Sequence, residues 1–487
     1  MPEVIFRNTI FKQHGRDVLS AINIHIEEGQ HYCLHGPNGA GKTMLLKALA
    51  GRFPATDGVR EFRIGNNVVN PAEFNHNVGR MFFSESEKAF KPAEHFYQQR
   101  YQYSIASDSI TCRELLEESG FQSHFTDHFE LVKRSGCKEI LERHVIKVSS
   151  GQRRKLYIVK ALLKNPKLLL LDDPYIGMDA VSRDDFNLWI QEICSERHIQ
   201  LIISGRPDDF PTFIHQEIVM NEKEVVYVGG KRMRSIPKPD FSKEDIGSIK
   251  QYWGSKELTK FNTILKLDCV SVKYDDVDIL NDLSWEVRQA ERVALIGKNG
   301  EGKSTLLSLL NADNPLAYIN DIWLFDQKRG PGQSIWDIKR HTGFTSSELH
   351  VYFNGNLRLW TTVATGFLDS QYLSRRLTVI EDQMVHAFLQ YFGLLEKKDI
   401  PFKHLSVGEQ SLALFIRAII KCPELLLLDE PYQGMDDLAI ARCNHLLSVL
   451  LENTRHTLVF ITHYTNEIPN IVSLQYLINN GQVLPNV

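Results

Sequence analysis

The sequence has no long hydrophobic run, no paired cysteines and no strong excess of one charge. No uninterrupted apolar stretch approaches the roughly 18 residues of a membrane span, which excludes a pore formed by this chain alone. The seven cysteines are scattered without a C-x-x-C pair, as in a cytosolic protein with reduced thiols. The formal net charge of −4 argues against a surface devoted to nucleic acid. Since the residues after Met1 do not resemble a signal peptide, we expect a cytoplasmic protein.

A glycine-rich stretch of eight residues matches the pattern G-x-x-x-x-G-K-[ST], which is typical of phosphate-binding loops. A strand-like run, residues 31–35, precedes it, and a helix-like run, residues 44–50, follows it. Glycine lets the backbone approach a ligand closely, and the free N–H groups at the helix start then face the phosphates. The loop comprises Gly36, Pro37, Asn38, Gly39, Ala40, Gly41, Lys42 and Thr43. We expect Lys42 to reach the β- and γ-phosphates of ATP and the Thr43 hydroxyl to ligate Mg²⁺.

The same loop occurs a second time, 261 residues further along the chain. It again lies between a strand-like run, residues 293–296, and a helix-like run, residues 306–310. The second loop comprises Gly297, Lys298, Asn299, Gly300, Glu301, Gly302, Lys303 and Ser304, whose hydroxyl is the matching Mg²⁺ ligand. Two copies in 487 residues predict two nucleotide-binding domains, each large enough for its own core.

A Ser-Gly turn that opens a helix follows each phosphate loop. Its free N–H groups suit a second contact with an anion, although such a stretch taken alone also fits an ordinary capped helix start. The turn comprises Ser149, Ser150, Gly151 and Gln152 in the first half, and Ser406, Val407, Gly408 and Glu409 in the second. The offset between these copies is 257 residues, so the order of the motifs is preserved.

A run of four leucines that ends in acidic residues follows each Ser-Gly turn. Such a run predicts a strand buried on both faces of a parallel sheet, whose carboxyl end is where open α/β sheets bind ligands. Asp172 and Asp429 close the two runs, again 257 residues apart, and are suited to hold Mg²⁺ beside the phosphates. A simple strand-ending turn is the alternative, which the upstream phosphate loops disfavour.

A polar connector separates the two halves. Residues 229–258 contain seven Lys/Arg and four Asp/Glu, a net charge of +3, and include Pro237 and Pro239. In the first half, residues 90–145 carry a charged, helical pattern that predicts an insertion between the motifs. We therefore place the first domain at residues 1–230, the linker at 231–260 and the second domain at 261–487.

Over essentially its full length, the sequence resembles the ATP-binding-cassette (ABC) ATPases. The resemblance rests on the phosphate loop, the L-S-x-G signature, the apolar-Asp-Glu-Pro strand and a late strand that ends in histidine. It implies an α/β fold of two tandem P-loop NTPase domains, each with a mostly parallel core sheet, an antiparallel β subdomain and a helical subdomain. It also implies pairing of the two cassettes within one chain, without an obligate homodimer. Each of two ATP molecules would lie between one phosphate loop and the other half's signature, which pairs Lys42 with Ser406 and Lys303 with Ser149.

The resemblance assigns roles to the acidic and histidine residues of the second half. Glu430 is implied as the general base or water-orienting carboxylate, Asp429 as the Mg²⁺ carboxylate and His463 as the sensor of the γ-phosphate. These roles agree with phosphoryl transfer, which needs charge stabilisation and a positioned water. ATP and Mg²⁺ are the cofactors that follow.

The first half departs from the family pattern at two positions. Asp173 stands where the family has glutamate, and Gly205 stands where it has histidine. Aspartate is one methylene shorter, and a misplacement of that size can reduce a rate severely. We therefore expect the site at Lys303 to hydrolyse ATP and the site at Lys42, with Asp173 as its catalytic carboxylate, to be degenerate and to hold ATP.

Two further family features transfer unevenly. Tyr274 is a good candidate for the aromatic residue that stacks on the base in the second half, whereas Phe11 and His14 remain alternatives in the first. The family's glutamine, which links the nucleotide to a membrane partner, is absent near residues 84–85 and 347–348. That absence puts standard coupling to a transporter in doubt.

A narrower resemblance joins residues 314–325, 329–330 and 334–339 to the ModF (photorepair-type) tandem ATPases, a bacterial subgroup associated with molybdate transport. Our first hypothesis is therefore an energising ATP-binding subunit that serves separate transmembrane permease subunits, peripheral on the cytoplasmic face of the membrane. The alternative is an ATPase that acts on the ribosome, without transport. A connector of only +3 disfavours it, since reaching RNA usually needs a long basic one. A repair or structural ATPase would need a coiled coil, and no sustained heptad run is present.

Overall fold

The protein is described by a computed structural model. The described residues are 1–13, 16–82, 110–122, 125–145, 148, 150–232, 241, 246–274, 277–298, 300–330, 332–346, 349, 353–370 and 372–486. They divide into two compact units, one that ends at Arg232 and one that begins at Phe241. The predicted helical insertion at 90–145 lies partly outside these ranges, and its described part contains two short helices.

The first unit contains ten strands and six helices among its described residues. The strands are β1 (Pro2–Gln13), β2 (Arg16–Ile26), β3 (Tyr32–His35), β4 (Ala55–Ile64), β5 (Asn67–Val69), β6 (Val78–Met81), β7 (Leu168–Leu171), β8 (Gln200–Ser204), β9 (Gln216–Asn221) and β10 (Glu224–Gly230). The helices are α1 (Lys42–Leu49), α2 (Pro71–His76), α3 (Cys112–Glu117), α4 (Thr126–Arg134), α5 (Ser150–Leu162) and α6 (Ala180–Glu196).

The second unit repeats this plan. Its strands are β11 (Thr263–Tyr274), β12 (Val277–Arg288), β13 (Arg292–Ile296), β14 (Asp321–Leu324), β15 (Gln327–Lys328), β16 (Thr342–Thr345), β17 (Leu425–Asp429), β18 (Thr457–Thr462), β19 (Leu474–Asn479) and β20 (Gln482–Pro485). Its described helices are α7 (Gly247–Ser255), α8 (Lys303–Leu310), α9 (Ile335–His341), α10 (Leu359–Ala364), α11 (Val379–Tyr391), α12 (Val407–Ile419) and α13 (Asp437–Leu451).

Each unit has one mostly parallel sheet and one antiparallel sheet. The six-stranded sheets have the orders β10-β9-β3-β8-β7-β6 and β16-β17-β18-β13-β19-β20, which are the same order read from opposite ends. Within each, only the pair at one edge is antiparallel. The four-stranded sheets, β2-β1-β4-β5 and β12-β11-β14-β15, are antiparallel throughout. The predicted α/β fold class is thereby confirmed.

The leucine runs form the middle of the parallel sheets and are buried on both faces. In β7, Leu168 and Leu170 pack with α1, whereas Leu169 and Leu171 pack with α5 and α6. Alternate residues of a strand point to opposite faces, so a strand covered by helices on both sides needs an unbroken apolar run. The run therefore fixes β7 between the phosphate-loop helix and the helix of the Ser-Gly turn, with Asp172 at the edge where ligands bind.

A short helix, α7, lies inside the stretch that the sequence predicts as a linker. Its Ile249 and Trp253 are buried and belong to the core of the second unit. The Trp253 ring lies 4.4 Å from the ring of His456. Within the described ranges, every helix is too short or too polar to cross a lipid bilayer.

Candidate functional site

In each phosphate loop, a glycine with positive φ stands directly before the first residue of the next helix. Gly41 precedes α1 with φ 97°, and Gly302 precedes α8 with φ 94°. This left-handed conformation is accessible mainly to glycine, and it turns the first N–H groups of the helix toward the loop. Lys42 Nζ donates to the carbonyl oxygens of Gly36 (2.8 Å) and Pro37 (3.1 Å). Lys303 contacts the matching carbonyl oxygens of its own loop, so the same two contacts hold each lysine against its loop.

The residues predicted to hold Mg²⁺ meet in the first unit. The Thr43 hydroxyl donates to Asp172 Oδ2 at 2.8 Å, although the two residues are 129 positions apart. A hydroxyl and a carboxylate are the hard oxygen ligands that Mg²⁺ prefers, which fits the metal that ATP brings. In the second unit, Asp429 is buried at the end of β17, and Ser304 lies in the first turn of α8. No group of three or more metal-ligating side chains occurs in the parts of the chain that are described.

Burial dominates the electrostatics of Asp172. It raises the pKa of the carboxyl to about 6, and the nearby charge of Asp173 acts in the same direction. Hydrogen bonds from Thr43 and Ser204 and the charge of Lys42 oppose this rise. A cation bound beside the carboxyl would favour its charged form and so oppose the effect of burial.

In the second unit, the predicted base and sensor contact each other. His463 Nδ1 lies 2.8 Å from Glu430 Oε1, and both side chains are largely buried. The other ring nitrogen, His463 Nε2, is buried without a hydrogen-bond partner among the described residues. A buried nitrogen without a partner is costly, so the site is suited to an oxygen-bearing ligand at that point.

The acidic residues after the leucine strands share an unusual backbone. Asp173 has φ 47° and Glu430 has φ 45°, a left-handed conformation that is uncommon outside glycine. Such strain is found mainly where the surrounding structure enforces it, often at functional sites. The two halves therefore give these acidic residues nearly the same φ angle, and they differ in the length of the side chain.

The strand beside the carboxylates is one residue shorter in the first unit. Leu34 pairs with Ser204 in β8, and the matching Leu295 pairs with Ile461 in β18. This register aligns Ser204 with Ile461, so that, two residues further along each chain segment, Arg206 aligns with His463. Counting back from the short 3-10 helices Pro207–Asp209 and Thr465–Glu467 places Gly205 there, as the sequence analysis has it. Two residues, Gly205 and Arg206, thus stand against three, Thr462 to Tyr464, so one residue is deleted between Ser204 and Pro207.

The signature turns begin helices in both units. In the second, Ser406 caps α12: its hydroxyl accepts from the Glu409 N–H, and the Glu409 carboxylate accepts from the Ser406 N–H at 2.8 Å. In the first, α5 begins at Ser150, and Arg154 donates to the backbone oxygen of Asp173 at 3.0 Å. The signature helix is therefore joined directly to the backbone of Asp173 in the first unit.

Several predicted site residues lie outside the described part of the structure. These are Ser149, Asn299, His14 and the positions of the missing glutamine at 84–85 and 347–348, together with the side chain of Tyr274. Phe11 is fully buried, with its ring 5.5 Å from that of Phe6, which leaves no face for a nucleotide base.

A repeated tyrosine–asparagine contact escaped the sequence analysis. The Tyr175 hydroxyl donates to Asn187 Oδ1 at 2.8 Å, and the Tyr432 hydroxyl donates to Asn444 Oδ1 at 2.6 Å. Each tyrosine follows the catalytic carboxylate by two positions, and each asparagine lies on the next helix, α6 or α13. Both pairs are 257 residues apart, so the offset of the known motifs could have revealed them.

The comparison with known families agrees with this geometry. The family model described as ABC transporter matches residues 19–176 and 280–433, more than half of the chain. The chain belongs to the ABC transporter family. Both matched ranges contain a phosphate loop, a signature turn and a leucine strand with its acids, so this ABC protein is a tandem ATPase that binds ATP.

Curated relatives resemble the ABC protein along its whole length. The ABC transporter ATP-binding protein ModF of Escherichia coli is 28% identical, over 97% of this chain and 96% of its own. An uncharacterized ABC transporter ATP-binding protein of Schizosaccharomyces pombe is also 28% identical, over 99% of each chain. Among solved structures, the RNase-L Inhibitor aligns with a TM-score of 0.56 and 16% identity, over 98% of this chain and 90% of its own. That likeness concerns the fold.

Proposed function

We propose that the two ATP sites divide the work, with hydrolysis at the second site and mainly ATP retention at the first. The contact of 2.8 Å between Glu430 and His463 carries this proposal. It aligns a carboxylate with an imidazole whose second nitrogen is available to a phosphate oxygen. The first unit has neither residue type at these positions, because Asp173 replaces the glutamate and the two positions that align with His463 hold Gly205 and Arg206.

At the second site, each side chain has a role that follows from its chemistry. Lys303 neutralises charge on the β- and γ-phosphates, and Ser304 with Asp429 would hold Mg²⁺. When bound, Mg²⁺ withdraws charge from the phosphate oxygens. Glu430 orients a water for in-line attack and accepts its proton on the oxygen that does not contact His463. The imidazolium form of His463 would donate from Nδ1 to Glu430 and from Nε2 to the γ-phosphate. The Glu430–His463 contact keeps both groups in the orientation that this attack requires.

At the first site, the structure supports binding better than chemistry. Lys42 lies over its loop, and Thr43 and Asp172 already contact each other. The shorter Asp173 side chain is less able to reach an attacking water. We therefore assign this site to the retention of ATP with Mg²⁺.

The proposed process that ATP hydrolysis drives is transport. ModF, which is similar over nearly the full length of both chains, is an ABC transporter ATP-binding protein. On this basis we propose an energising subunit for separate membrane proteins on the cytoplasmic face, and molybdate is the first cargo to test. Action on the ribosome is the alternative outcome of the experiment below.

Single-turnover ATP hydrolysis by the purified chain tests the division of work. Glu430→Gln should reduce the rate at least about 100-fold, because a general base contributes that much. Asp173→Asn, the matched change in the first unit, should reduce it less than about threefold. Equal losses in both variants would contradict the proposal, since the first site would then be catalytic.

The Glu430→Gln chain also allows the coupled process to be identified. Hydrolysis is blocked in this variant while ATP binding is retained, so complexes that form only with ATP should persist in cells. Membrane permease subunits in the purified complex would support the transport proposal. Ribosomes in the complex would support the alternative and contradict transport, and unaltered chain purified in parallel is the control.

A further inference from the structure

The hydroxyl of Ser204 joins both acidic residues of the first ATP site. Ser204 Oγ donates to Asp172 Oδ1 at 2.9 Å and accepts from the backbone N–H of Asp173 at 3.0 Å. Ser204 is fully buried at the end of β8. The two oxygens of Asp172 thus have one hydroxyl donor each, since Thr43 donates to Oδ2 at 2.8 Å.

In the second unit, the backbone N–H of the corresponding residue, Glu430, has a different hydrogen-bond acceptor. The N–H of Glu430 donates to the carbonyl oxygen of Ile461 at 2.8 Å, which continues the hydrogen-bond ladder between β17 and β18. Ile461 occupies the register position of Ser204 and is fully buried. In the first unit, the Ser204 side chain accepts the hydrogen bond of this rung, and β7 ends one residue earlier than β17. Serine side chains often compete with ladders in this way.

The threonine that precedes the sensor histidine does not take over this task. Thr462 aligns with Ser204 when residues are counted back from the two 3-10 helices. The Thr462 hydroxyl accepts a hydrogen bond from the N–H of Tyr464 at 3.0 Å. Among the residues that the structure describes, Thr462 therefore does not repeat the contacts that Ser204 makes with the two acidic residues of the first unit.

We infer that Ser204 is a positioning residue for the first ATP site, where it holds Asp172 in the orientation that receives the Mg²⁺ of a retained nucleotide. This inference rests on the proposed retention of ATP at that site. Groups that donate to a metal-ligating carboxylate fix its orientation and commonly change metal affinity by 10- to 100-fold when removed. Without the hydroxyl, Asp172 Oδ1 and the Asp173 N–H would both lose a buried partner.

The test measures binding and not hydrolysis. Lys303→Ala in the full chain disables the second loop, so that the binding of a fluorescent, non-hydrolysable ATP analogue reports the first site. Mg²⁺ is then titrated in this background with Ser204→Ala, with Ser204→Thr and with Ser135→Ala. Ser135 is a matched control, because it is a buried serine of the same unit that bonds only locally, to the Val132 carbonyl and the Cys137 N–H.

We expect Ser204→Ala to raise the Mg²⁺ concentration for half-maximal binding about tenfold. Binding of the analogue without Mg²⁺ should be unchanged. Ser204→Thr, which keeps the hydroxyl, should restore the parental value, and Ser135→Ala should not alter it. If Ser204→Ala fails to fold, Ser204→Cys has nearly the same size and a weak donor, so it should show the same shift.

Two other outcomes have separate meanings. An unchanged Mg²⁺ dependence in Ser204→Ala or Ser204→Cys would overturn the role of Ser204 and leave the retention of ATP intact. If the Lys303→Ala chain binds no analogue at all, the proposed retention at the first site is wrong, and the inference falls with it.

Discussion

Asp173 and Glu430 have nearly the same backbone φ angle, but different side chains face them. The φ angle is 47° at Asp173 and 45° at Glu430. Both are followed by proline and by a tyrosine that donates to an asparagine on the next helix. The turn that presents the carboxylate therefore shares its φ angle and its tyrosine–asparagine contact in the two units, while the acceptor of its backbone N–H differs.

The difference lies in what faces that turn. In the second unit, β18 has six residues and leads into His463, which contacts Glu430. In the first, β8 has five residues and ends in Ser204, which contacts Asp172 and the Asp173 N–H. The two units thus share a fold, whereas the side chains that face the acidic residues differ. Function is carried by the site, and the shared scaffold does not determine it.

The largest effect should come from giving the second site the carboxylate of the first. Glu430→Asp keeps the charge and withdraws the carboxylate by about one C–C bond, roughly 1.5 Å. We expect single-turnover hydrolysis to fall about 100-fold, because misplacement on this scale costs about that factor. The affinity for ATP should stay within about twofold, since the lost interaction is made in the transition state.

The control for this change is Glu452→Asp, which shortens an exposed glutamate of the same unit. It should leave hydrolysis unaltered. If Glu430→Asp retains near-parental hydrolysis, the length of Asp173 is not what disables the first site, and the shorter β8 strand becomes the main difference between the units.

A smaller effect should come from the reverse change. In a Glu430→Gln chain, Asp173→Glu with Gly205→His should raise single-turnover hydrolysis about tenfold, because a base and a sensor are supplied together. Gly205 lies outside the left-handed region, and an added Cβ would be 3.4 Å from the rings of Tyr175 and Phe210, which is close to ordinary contact. The backbone therefore accepts a side chain at this position.

Two comparison variants show which position matters. Asp173→Glu alone should gain little, and Asp173→Glu with Arg206→His tests the position that the strand register assigns to the sensor. A gain only with Arg206→His would show that Arg206 occupies the position of His463, as the strand register has it, and that the deleted residue lies after it. No gain in either double variant would show that more than these side chains separates the two units.

The sequence predicts the parts of the site that depend on local pattern. The phosphate loops need glycines such as Gly41 and Gly302 at fixed spacing, and β7 needs an unbroken apolar run because helices cover both its faces. Such requirements leave a direct record in the order of residues. The α/β fold and the strand beside Asp172 could therefore be read before the structure.

Other parts depend on contacts that local pattern does not contain. Ser204 reaches Asp172 across 32 residues because β7 and β8 are neighbouring strands. The helix α7 forms in a stretch of polar composition because Ile249 and Trp253 find a core to enter. In both cases tertiary packing determines the outcome, and propensity or composition gives only a weak expectation.

The smallest effect concerns a lysine that is exposed in one unit and buried in the other. Lys164 is exposed, whereas Lys421, 257 residues later, is buried and paired with Asp369. Burial lowers the pKa of Lys421 from 10.5 to about 8. Between these values the unfolded chain binds a proton that the folded chain has released, so stability rises with pH in that window.

Lys421→Met should remove this rise. The thermal midpoint of the parent, relative to this variant, should therefore increase by a few degrees between pH 7.5 and 9.5. A difference between the parent and Lys421→Met that stays constant with pH would contradict the lowered pKa of Lys421.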